Sequence, residues 1–266
     1  MYRRQFIQFF ASLGAAAGFA FAPALAQDKP IRIGVTGGVH AEIMEQVKKL
    51  AEKEGLKLRI VEFSDYIQPN AALAAGDLDA NSYQHQPYLD AQIKDRGYKL
   101  VSIGSTITFP MAVYSKKIKS LEELQNGARI GVPNDPSNGG RALLLLQTQG
   151  LIRLKPAAGL TATPLDIVDN PKKLRIVELD AAQLPRALHD FDAAVINDNF
   201  ANSAGLSPTR DGIAMEAIDG PYVNIIAVRA EDRNKPWVTR LLKVYRSPEI
   251  KKFVQQRYGD AAMTSW

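Results

Sequence analysis

The order of apolar and polar positions predicts strands and helices that alternate along most of the chain. The run IRIGVTGG at 31–38 is apolar and ends in glycines, which predicts a strand followed by a loop. Over residues 40–54, Ile43, Val47 and Ala51 fall on one stripe of a helix. LKLRIVEF then predicts a second strand, PNAALAAG a short helix and DLDANSY a third strand. Repeated strand–helix–strand units predict a parallel sheet covered by helices.

The second half of the chain repeats this pattern. TITFPMAVYS at 106–115 and ARIGV predict strands, and Ser120 with Glu123 predicts a capping box for a helix at LEELQNG. NGGRALLLLQTQG predicts another helix, and LRIVEL, AAQLPRALHD and FDAAVIN predict a strand, a helix and a strand. PYVNIIAV at 221–228 predicts a last buried strand, and the tail to Trp266 predicts helices.

An internal echo relates the two halves. Residues 61–80 and 177–193 share the order Val-Glu, Pro, Leu and Asp-x-Asp-Ala, although the second copy has the shorter predicted helix. Such a match can arise by chance between two βαβ units, or it can mark structurally equivalent units. Each copy runs into polar residues, Asn81 and Tyr83 in the first and Asn197 in the second. Ligands of open α/β sheets bind at the carboxyl ends of strands, so two facing units would form a cleft.

The N-terminus is typical of a targeting segment. Arg3 and Arg4 precede an apolar stretch at 6–21, and Ala-Leu-Ala at 24–26 resembles a cleavage site. This order predicts a signal peptide at 1–26, either twin-arginine-like or of the general secretory type, in preference to a membrane anchor. No later stretch is long and apolar enough to span a bilayer, so we expect an exported, soluble mature chain.

Composition narrows the class of protein. The 266 residues include no cysteine and are 46% hydrophobic, so the fold must be stabilised by burial, in one large domain or in two lobes. The formal net charge of +5 is small and evenly spread, and it does not favour a nucleic-acid partner.

Motifs of catalysis are missing from the sequence. There is no G-x-S-x-G, no H-E-x-x-H and no P-loop, and GVTGG lacks the third glycine of a dinucleotide fingerprint. The three histidines, His40, His85 and His189, have no metal-ligand spacing. Asp77 and Asp79 lie on the same side of a strand and could form a carboxylate pair, although acids near a turn are more often surface or capping residues. We therefore expect no catalytic residue, metal or cofactor.

The segment VPNDPSNGGRALLLLQ predicts a polar site. A loop delivers Asn138 to the start of a helix with Arg141 in its first turn, where a cation is unfavourable unless an anion binds there. The planar guanidinium matches a carboxylate with two parallel hydrogen bonds, and the alternative is a surface pair with Asp135. Asn197 ends one apolar strand and Asn224 lies inside another. Buried amides need partners, which could be a neighbouring loop or the backbone of an amino acid.

The segment DANSYQHQPYLD predicts an aromatic wall. Tyr83 and His85 alternate onto one side, Tyr88 returns to that side, and Tyr66 precedes the preceding helix. A lone histidine among aromatic rings is often structural. Without a nearby nucleophile, thiol or second histidine it is a poor catalyst and a suitable pocket wall. Such a wall suits a flat apolar or thioether side chain.

Four long blocks together resemble the NlpA family of substrate-binding proteins, the methionine-binding components of ABC importers. They are FSDYIQPNAALAAGDLDANSYQHQPYLD, FPMAVYSKKIKSLEELQNGARIGVPNDPSNGGRALLLLQ, LDIVDNPKKLRIVELDAAQLPRAL and PYVNIIAV. The resemblance runs from Ile31 to the end. It implies an α/β, two-lobed periplasmic-binding-protein type II fold, in which each lobe is a mostly parallel sheet flanked by helices. The implied lobes are 31–110 with 225–266 and 111–224, joined by hinge strands around Phe109–Val113 and Tyr222–Val228.

The resemblance also implies a ligand and its contacts. The protein would capture L-methionine and deliver it, as a monomer, to a membrane permease and its ATPase. The alternatives are another small amino acid, D-methionine or a short peptide, or a lyase or dehydratase using His85 with Asp77 or Asp79. The implied binding residues are Tyr66, Tyr83, His85 and Tyr88 around the side chain, Arg141 and Asn138 at the α-carboxylate, and Asn197 and Asn224 at the amino and carboxyl groups.

Two positions depart from the family pattern. Gln27 stands where family members carry the cysteine that is lipidated, and the sequence contains no cysteine. We therefore expect a free periplasmic protein without a lipid anchor. Tyr83 replaces the usual phenylalanine before Gln-His, and its hydroxyl needs a partner when buried.

Overall fold

The structure, a computed structural model, describes residues 29–266, so the predicted signal peptide at 1–26 lies outside the described residues. Two five-stranded sheets, each flanked by helices, form two lobes. Within the described residues, no helix has the length and apolar character needed to cross a membrane.

The strands and helices follow one another with short connections. The strands are β1 (Ile31–Thr36), β2 (Leu58–Phe63), β3 (Ala80–His85), β4 (Leu100–Ser105), β5 (Ile107–Thr108), β6 (Ala112–Tyr114), β7 (Arg129–Pro133), β8 (Arg153–Leu154), β9 (Ile167–Asp169), β10 (Arg175–Leu179), β11 (Ala193–Ile196), β12 (Gly212–Met215), β13 (Asn224–Arg229) and β14 (Met263–Thr264). The α-helices are α1 (Val39–Lys53), α2 (Gln68–Ala75), α3 (Gln86–Arg96), α4 (Pro136–Thr148), α5 (Asp198–Ser203), α6 (Pro208–Asp211), α7 (Pro236–Tyr245) and α8 (Pro248–Tyr258).

The two large sheets have the same topology, strand for strand. The first has the order β2-β1-β3-β13-β4, in which β1 is parallel to β2 and β3 while β13 is antiparallel to both neighbours. The second has the order β10-β7-β11-β6-β12, in which β7 is parallel to β10 and β11 while β6 is antiparallel to both neighbours. Four strands of each sheet therefore run one way and one strand runs against them, which confirms the mostly parallel sheets that the sequence predicts.

The internal echo corresponds to this equivalence. Asp79 precedes β3 and accepts a hydrogen bond from the backbone N–H of Arg32 in β1, at 2.8 Å. Asp192 precedes β11 and accepts one from the backbone N–H of Arg129 in β7, also at 2.8 Å. The second aspartate of each Asp-x-Asp-Ala segment thus fastens the start of the middle strand of its sheet to the neighbouring interior strand.

Apolar helix faces cover both sides of each sheet. In the first lobe, Ile43 and Val47 of α1 pack with residues of α7 and α8 against β1, and Leu73 of α2 packs with Leu89 of α3 on the other side. In the second lobe, α4 supplies the apolar residues on one side, including Leu143, and α5 contributes on the other.

The chain crosses between the lobes twice. It leaves the first sheet after Ser105 and enters the second at Ala112, and it leaves the second after Met215 and re-enters the first at Asn224. The return crossing at 216–223 thus precedes β13, which is an interior strand of the first sheet. The predicted second hinge overlaps this strand more than the crossing itself.

Two predicted helices are absent as α-helices. AAQLPRALHD forms turns and one 3-10 turn at Leu188–Asp190, because Pro185 lacks the N–H that a helix interior needs. LEELQNG forms only a 3-10 turn, although Ser120 and Glu123 make the predicted capping box. Helix α4 begins at Pro136, two residues before its predicted start, which places Arg141 in the second turn.

Candidate ligand-binding site

A cavity lies between the two lobes. Its lining comes from segments that follow the carboxyl ends of parallel strands in both sheets, where open α/β sheets bind ligands. The structure brings all eight residues singled out in the sequence to this cavity. The lining residues are His40, Tyr66, Tyr83, Gln84, His85, Tyr88, Phe109, Asn138, Arg141, Asn197, Asp198, Asn199 and Asn224.

Three tyrosines form the aromatic wall. The ring of Tyr66 lies 5.9 Å from those of Tyr83 and Tyr88, and the latter two rings are 6.1 Å apart. Phe200 of the second lobe packs against Tyr66 from across the cleft, with ring centres 4.7 Å apart and the rings tilted by 40°. Burial raises the pKa of Tyr66 and Tyr83 well above the ordinary value, so both phenols stay protonated.

The hydroxyl of Tyr83 has a hydrogen-bond partner within the protein. It donates to the backbone carbonyl of Tyr66 at 3.0 Å, and the hydroxyl of Tyr88 donates to the same oxygen at 2.8 Å. The phenol that replaces the family's phenylalanine is therefore satisfied by the protein itself, and its presence does not require a polar group on the ligand.

His85 is a neutral imidazole whose tautomer is set by its partners. Its Nδ1 accepts the backbone N–H of Tyr88 at 3.1 Å, as the N-cap of α3. The proton therefore lies on Nε2, which donates to Oδ1 of Asn138 at 3.1 Å. Burial, with the charge of Arg141, lowers the pKa of His85 to about 3.

Asn138 connects the two lobes. Its Nδ2 donates to both carboxylate oxygens of Asp135, which also caps α4, and its Oδ1 accepts from His85 and from Nδ2 of Asn197 at 2.8 Å. These bonds fix the orientation of the amide. Asp135 is thus a partner of Asn138, and the predicted alternative of an Asp135–Arg141 surface pair is not formed.

Arg141 is buried, with 4% of its surface exposed, and is held by both crossing segments. Its Nε donates to both carboxylate oxygens of Glu216 at 3.0 Å, and Nη2 donates to Glu216 and, at 3.0 Å, to the backbone carbonyl of Phe109. Its guanidinium carbon lies 4.4 Å from the ring centre of Tyr222. The edge of the guanidinium that we expected to face a ligand carboxylate therefore faces Glu216. Nη1 donates to no group of residues 29–266 and is left for a ligand.

Two amide oxygens of the cavity lack donors. Oδ1 of Asn197 is fully buried and accepts no hydrogen bond in the described part of the chain. Asn224 donates from Nδ2 to the carbonyl of Ile107 at 2.9 Å, and no described residue donates to its Oδ1. An unpaired buried acceptor costs about 1–3 kcal/mol, so a ligand that donates hydrogen bonds here would be stabilised.

Five lining residues were missed by sequence reasoning: His40, Gln84, Phe109, Asp198 and Asn199. His40 starts α1, and burial lowers its pKa to about 4. Gln84 lies between Tyr83 and His85 in the same strand. Strand alternation predicted that its side chain points to the opposite face, which is why it was not expected at the site. Asp198 and Asn199 follow Asn197 directly, and their place just after a buried strand was the available signal.

The carboxylate pair of the enzyme alternative does not assemble at the cavity. Asp79 precedes β3 and pairs with Arg32 at 3.0 Å, whereas His85 is the last residue of that strand. Six residue steps along an extended strand place Asp79 and His85 roughly 20 Å apart.

Comparisons with known proteins give a consistent result. A family model described as NlpA lipoprotein matches residues 31–266. The chain is 48% identical over 264 residues to the D-methionine-binding lipoprotein MetQ of Salmonella typhimurium, across 97% of each protein. It is 51% identical over 237 residues to a probable D-methionine-binding lipoprotein MetQ of Vibrio cholerae, across 89% of this chain and 88% of that one. A nutrient-binding protein from Burkholderia cenocepacia, solved bound to methionine, is 57% identical with a TM-score of 0.87, across 89% of this chain and 100% of that one.

These relatives contradict the expectation of a free periplasmic protein without a lipid anchor. The matching family is described as a lipoprotein family, and relatives that cover nearly the whole chain are named lipoproteins. The expectation is wrong because it rested on one missing residue type.

Proposed function

This chain belongs to the NlpA lipoprotein family, and we propose that it is the substrate-binding protein of an ABC importer that encloses one molecule of methionine between its lobes. We take L-methionine as the first ligand. D-methionine, another small amino acid and a short peptide are the alternatives that the experiment below separates.

One observation carries the proposal: a single cavity combines a buried guanidinium, amide groups with unused hydrogen-bonding positions, and a wall of three tyrosines. The charged and amide groups suit the head of an amino acid, and the rings suit an uncharged side chain. Sulfur packs against aromatic rings with a gain of about 0.3–1.5 kcal/mol, which favours a thioether.

The head group would be bound from both lobes. We assign the α-carboxylate to Nη1 of Arg141, with Asn138 fixing the orientation of the Asn197 amide. The oxygens of Asn197 and Asn224 are the acceptors for the α-ammonium, because each has an unused lone pair and an ammonium supplies three donors.

Closure of the lobes would bury the ligand. We propose that lobe one comprises 31–110 and 225–266 and lobe two 111–224, and that they rotate about the two crossings, as periplasmic binding proteins do. Contacts across the cleft support this: His85 bonds Asn138, and the hydroxyl of Tyr66 donates to Asn199. The closed form is then the one that docks on the permease.

The test is a thermal-shift panel on protein freed of any co-purified ligand by unfolding and refolding. L-methionine, D-methionine, leucine, glutamine and methionine dipeptides are compared at equal concentrations. A ligand at 1,000 times its Kd stabilises the fold by about 4 kcal/mol, which is roughly 8–16 °C for a protein of this size. The absence of a shift with either methionine at millimolar concentration refutes the proposal.

The enzyme alternative is separated by following the ligand over time. Binding predicts unchanged methionine in an overnight incubation followed by NMR, and reduced affinity in His85→Ala. Product formation that His85→Ala abolishes while binding persists would favour catalysis instead.

A further inference from the structure

We propose that Asp198 supplies the negative charge that binds the ligand's α-ammonium group, so that the site selects zwitterionic amino acids over acids that lack the amine. This inference rests on the proposed function and deepens it, since neither Arg141 nor the amides distinguish an amino acid from its desamino analogue by charge.

Asp198 is an unpartnered carboxylate at the cavity. It follows Asn197 as the first residue of α5, lines the cavity and is only 7% exposed. Within residues 29–266, its side chain accepts no hydrogen bond, caps no backbone N–H and forms no salt bridge. A buried ionised carboxylate without a partner is costly, which indicates that something else neutralises it in the working state.

The charges around the cavity leave room for one cation. Arg141 and Glu216 already neutralise one another, with their side chains 5% and 13% exposed. A zwitterionic ligand adds one positive and one negative group, and its negative group is assigned to Arg141. Arg141 is then shared between Glu216 and the ligand carboxylate, and Asp198 is the carboxylate of the cavity that remains for the ammonium.

Neighbouring acceptors complete the same coordination. An ammonium has three N–H donors, and the cavity offers the carboxylate of Asp198 together with Oδ1 of Asn197 and Oδ1 of Asn224. Two neutral amide oxygens and one carboxylate match one cation. A ligand without an ammonium group would leave the charge of Asp198 unpaired.

The other charged groups near Asp198 are occupied elsewhere. Asp198 also borders a surface depression lined by Arg210 and Arg257, but Arg210 pairs with Asp211 at 2.7 Å and Arg257 with Glu42 at 3.0 Å.

The ionisable groups that face Asp198 belong to four elements. They are Arg141 of α4, Tyr114 of β6, Tyr258 of α8 and, across the cavity, His40 of α1. Burial raises the pKa of Asp198 to about 7, against the opposing charge of Arg141, while His40 stays neutral. Without ligand the carboxyl therefore titrates near neutral pH, and an ammonium beside it would favour the ionised form.

The experiment crosses one substitution with two ligands. Isothermal titration compares L-methionine with 4-(methylthio)butanoate, the same acid without the amine, on the unsubstituted protein and on Asp198→Asn. The substitution keeps the shape and removes the charge. A charged hydrogen bond in a buried site predicts a roughly 10- to 150-fold loss of methionine affinity, with the affinity for the desamino acid unchanged or improved. Asp90→Asn makes the same charge change on an exposed position of α3 and should alter neither affinity.

Each outcome decides. An equal loss for both ligands assigns Asp198 a structural role and overturns the inference, as does unchanged methionine affinity; in either case the proposed function stands. Failure of the unsubstituted protein to bind methionine overturns the proposed function first, and this inference with it.

A second readout guards against an effect on folding alone. Ionisation of Asp198 on binding should release protons near pH 6.5, seen as a dependence of the titration heat on the ionisation enthalpy of the buffer. Asp198→Asn should lose that release, and its persistence would overturn the inference.

Discussion

Arg141 has two roles that a pair of substitutions can separate. It neutralises Glu216 at the point where both crossings meet, and we assign its Nη1 to the ligand carboxylate. Arg141→Met removes both roles. It leaves the largely buried carboxylate of Glu216 without its cation, which costs about 3–5 kcal/mol for a broken buried pair. For a protein of this size that corresponds to a fall in Tm of roughly 6–20 °C.

Adding Glu216→Gln to Arg141→Met should restore most of this stability. The glutamine oxygen can still accept the backbone N–H of Met111, which Glu216 accepts at 2.8 Å, and no unpaired charge remains. The free energy of unfolding should return to within about 1.5–3 kcal/mol of that of the unsubstituted protein, since the hydrogen bond from the Arg141 cation to the carbonyl of Phe109 is lost.

In the double variant, methionine binding should stay weak although stability is restored. The ligand carboxylate would still lack its cation, which costs about 2–5 kcal/mol, or roughly 30-fold to several-thousand-fold in Kd. Chemical denaturation measures stability and calorimetric titration measures affinity, with Glu216→Gln alone as the control that keeps Arg141. A stable double variant that binds methionine as the unsubstituted protein does would refute the role of Arg141 in the ligand site.

Three further substitutions test other parts of the account. Gly38→Ala should weaken methionine binding, because its Cβ would lie 2.7 Å from a side-chain oxygen of the other lobe. Gly76 also has a positive φ but no neighbour within 4 Å, so Gly76→Ala should cost stability alone. Equal methionine affinities of the two variants in calorimetry would contradict this account of closure. Tyr83→Phe should change methionine affinity by less than about threefold in the same assay, because the hydroxyl of Tyr88 still satisfies the shared carbonyl, and a larger loss would place the Tyr83 hydroxyl on the ligand. Acid should destabilise the ligand-free protein through His85, since the unfolded chain binds a proton below about pH 6.5 that the folded chain does not bind until about pH 3. Between pH 6.5 and 4, the free energy of unfolding should therefore fall less steeply with acid in His85→Gln than in the unsubstituted protein, and the two slopes should differ by up to about 1.4 kcal/mol per pH unit. Chemical denaturation at several pH values measures both slopes, and equal slopes would contradict the buried, neutral state of His85.

Local patterns were enough to locate most of the site. Tyr83 and His85 lie in an alternating strand, and Asn197 ends another, so the rule that ligands bind at strand ends pointed to them. The repeated Asp-x-Asp-Ala segment also indicated the equivalence of the two sheets, because Asp79 and Asp192 each accept the same backbone hydrogen bond from the strand beside the middle one.

Contacts between residues far apart in the sequence could not be predicted from local patterns. Glu216 meets Arg141 across 75 positions, and nothing around either residue indicates the other. Asp198 looks, from its sequence neighbours, like an ordinary acid in the first turn of a helix, and only its burial at the cavity distinguishes it. The helix predicted around Pro185 does not form. The prediction gave the apolar pattern more weight than the helix-breaking effect of the proline, and in the structure the proline prevails.

The claim that this cavity holds methionine by its carboxylate is tested most directly by native mass spectrometry of the protein as purified, without unfolding. The account predicts one methionine per chain in the unsubstituted protein and an empty chain in the Arg141→Met, Glu216→Gln double variant. A different bound compound in the first, or equal methionine occupancy in both, would contradict it.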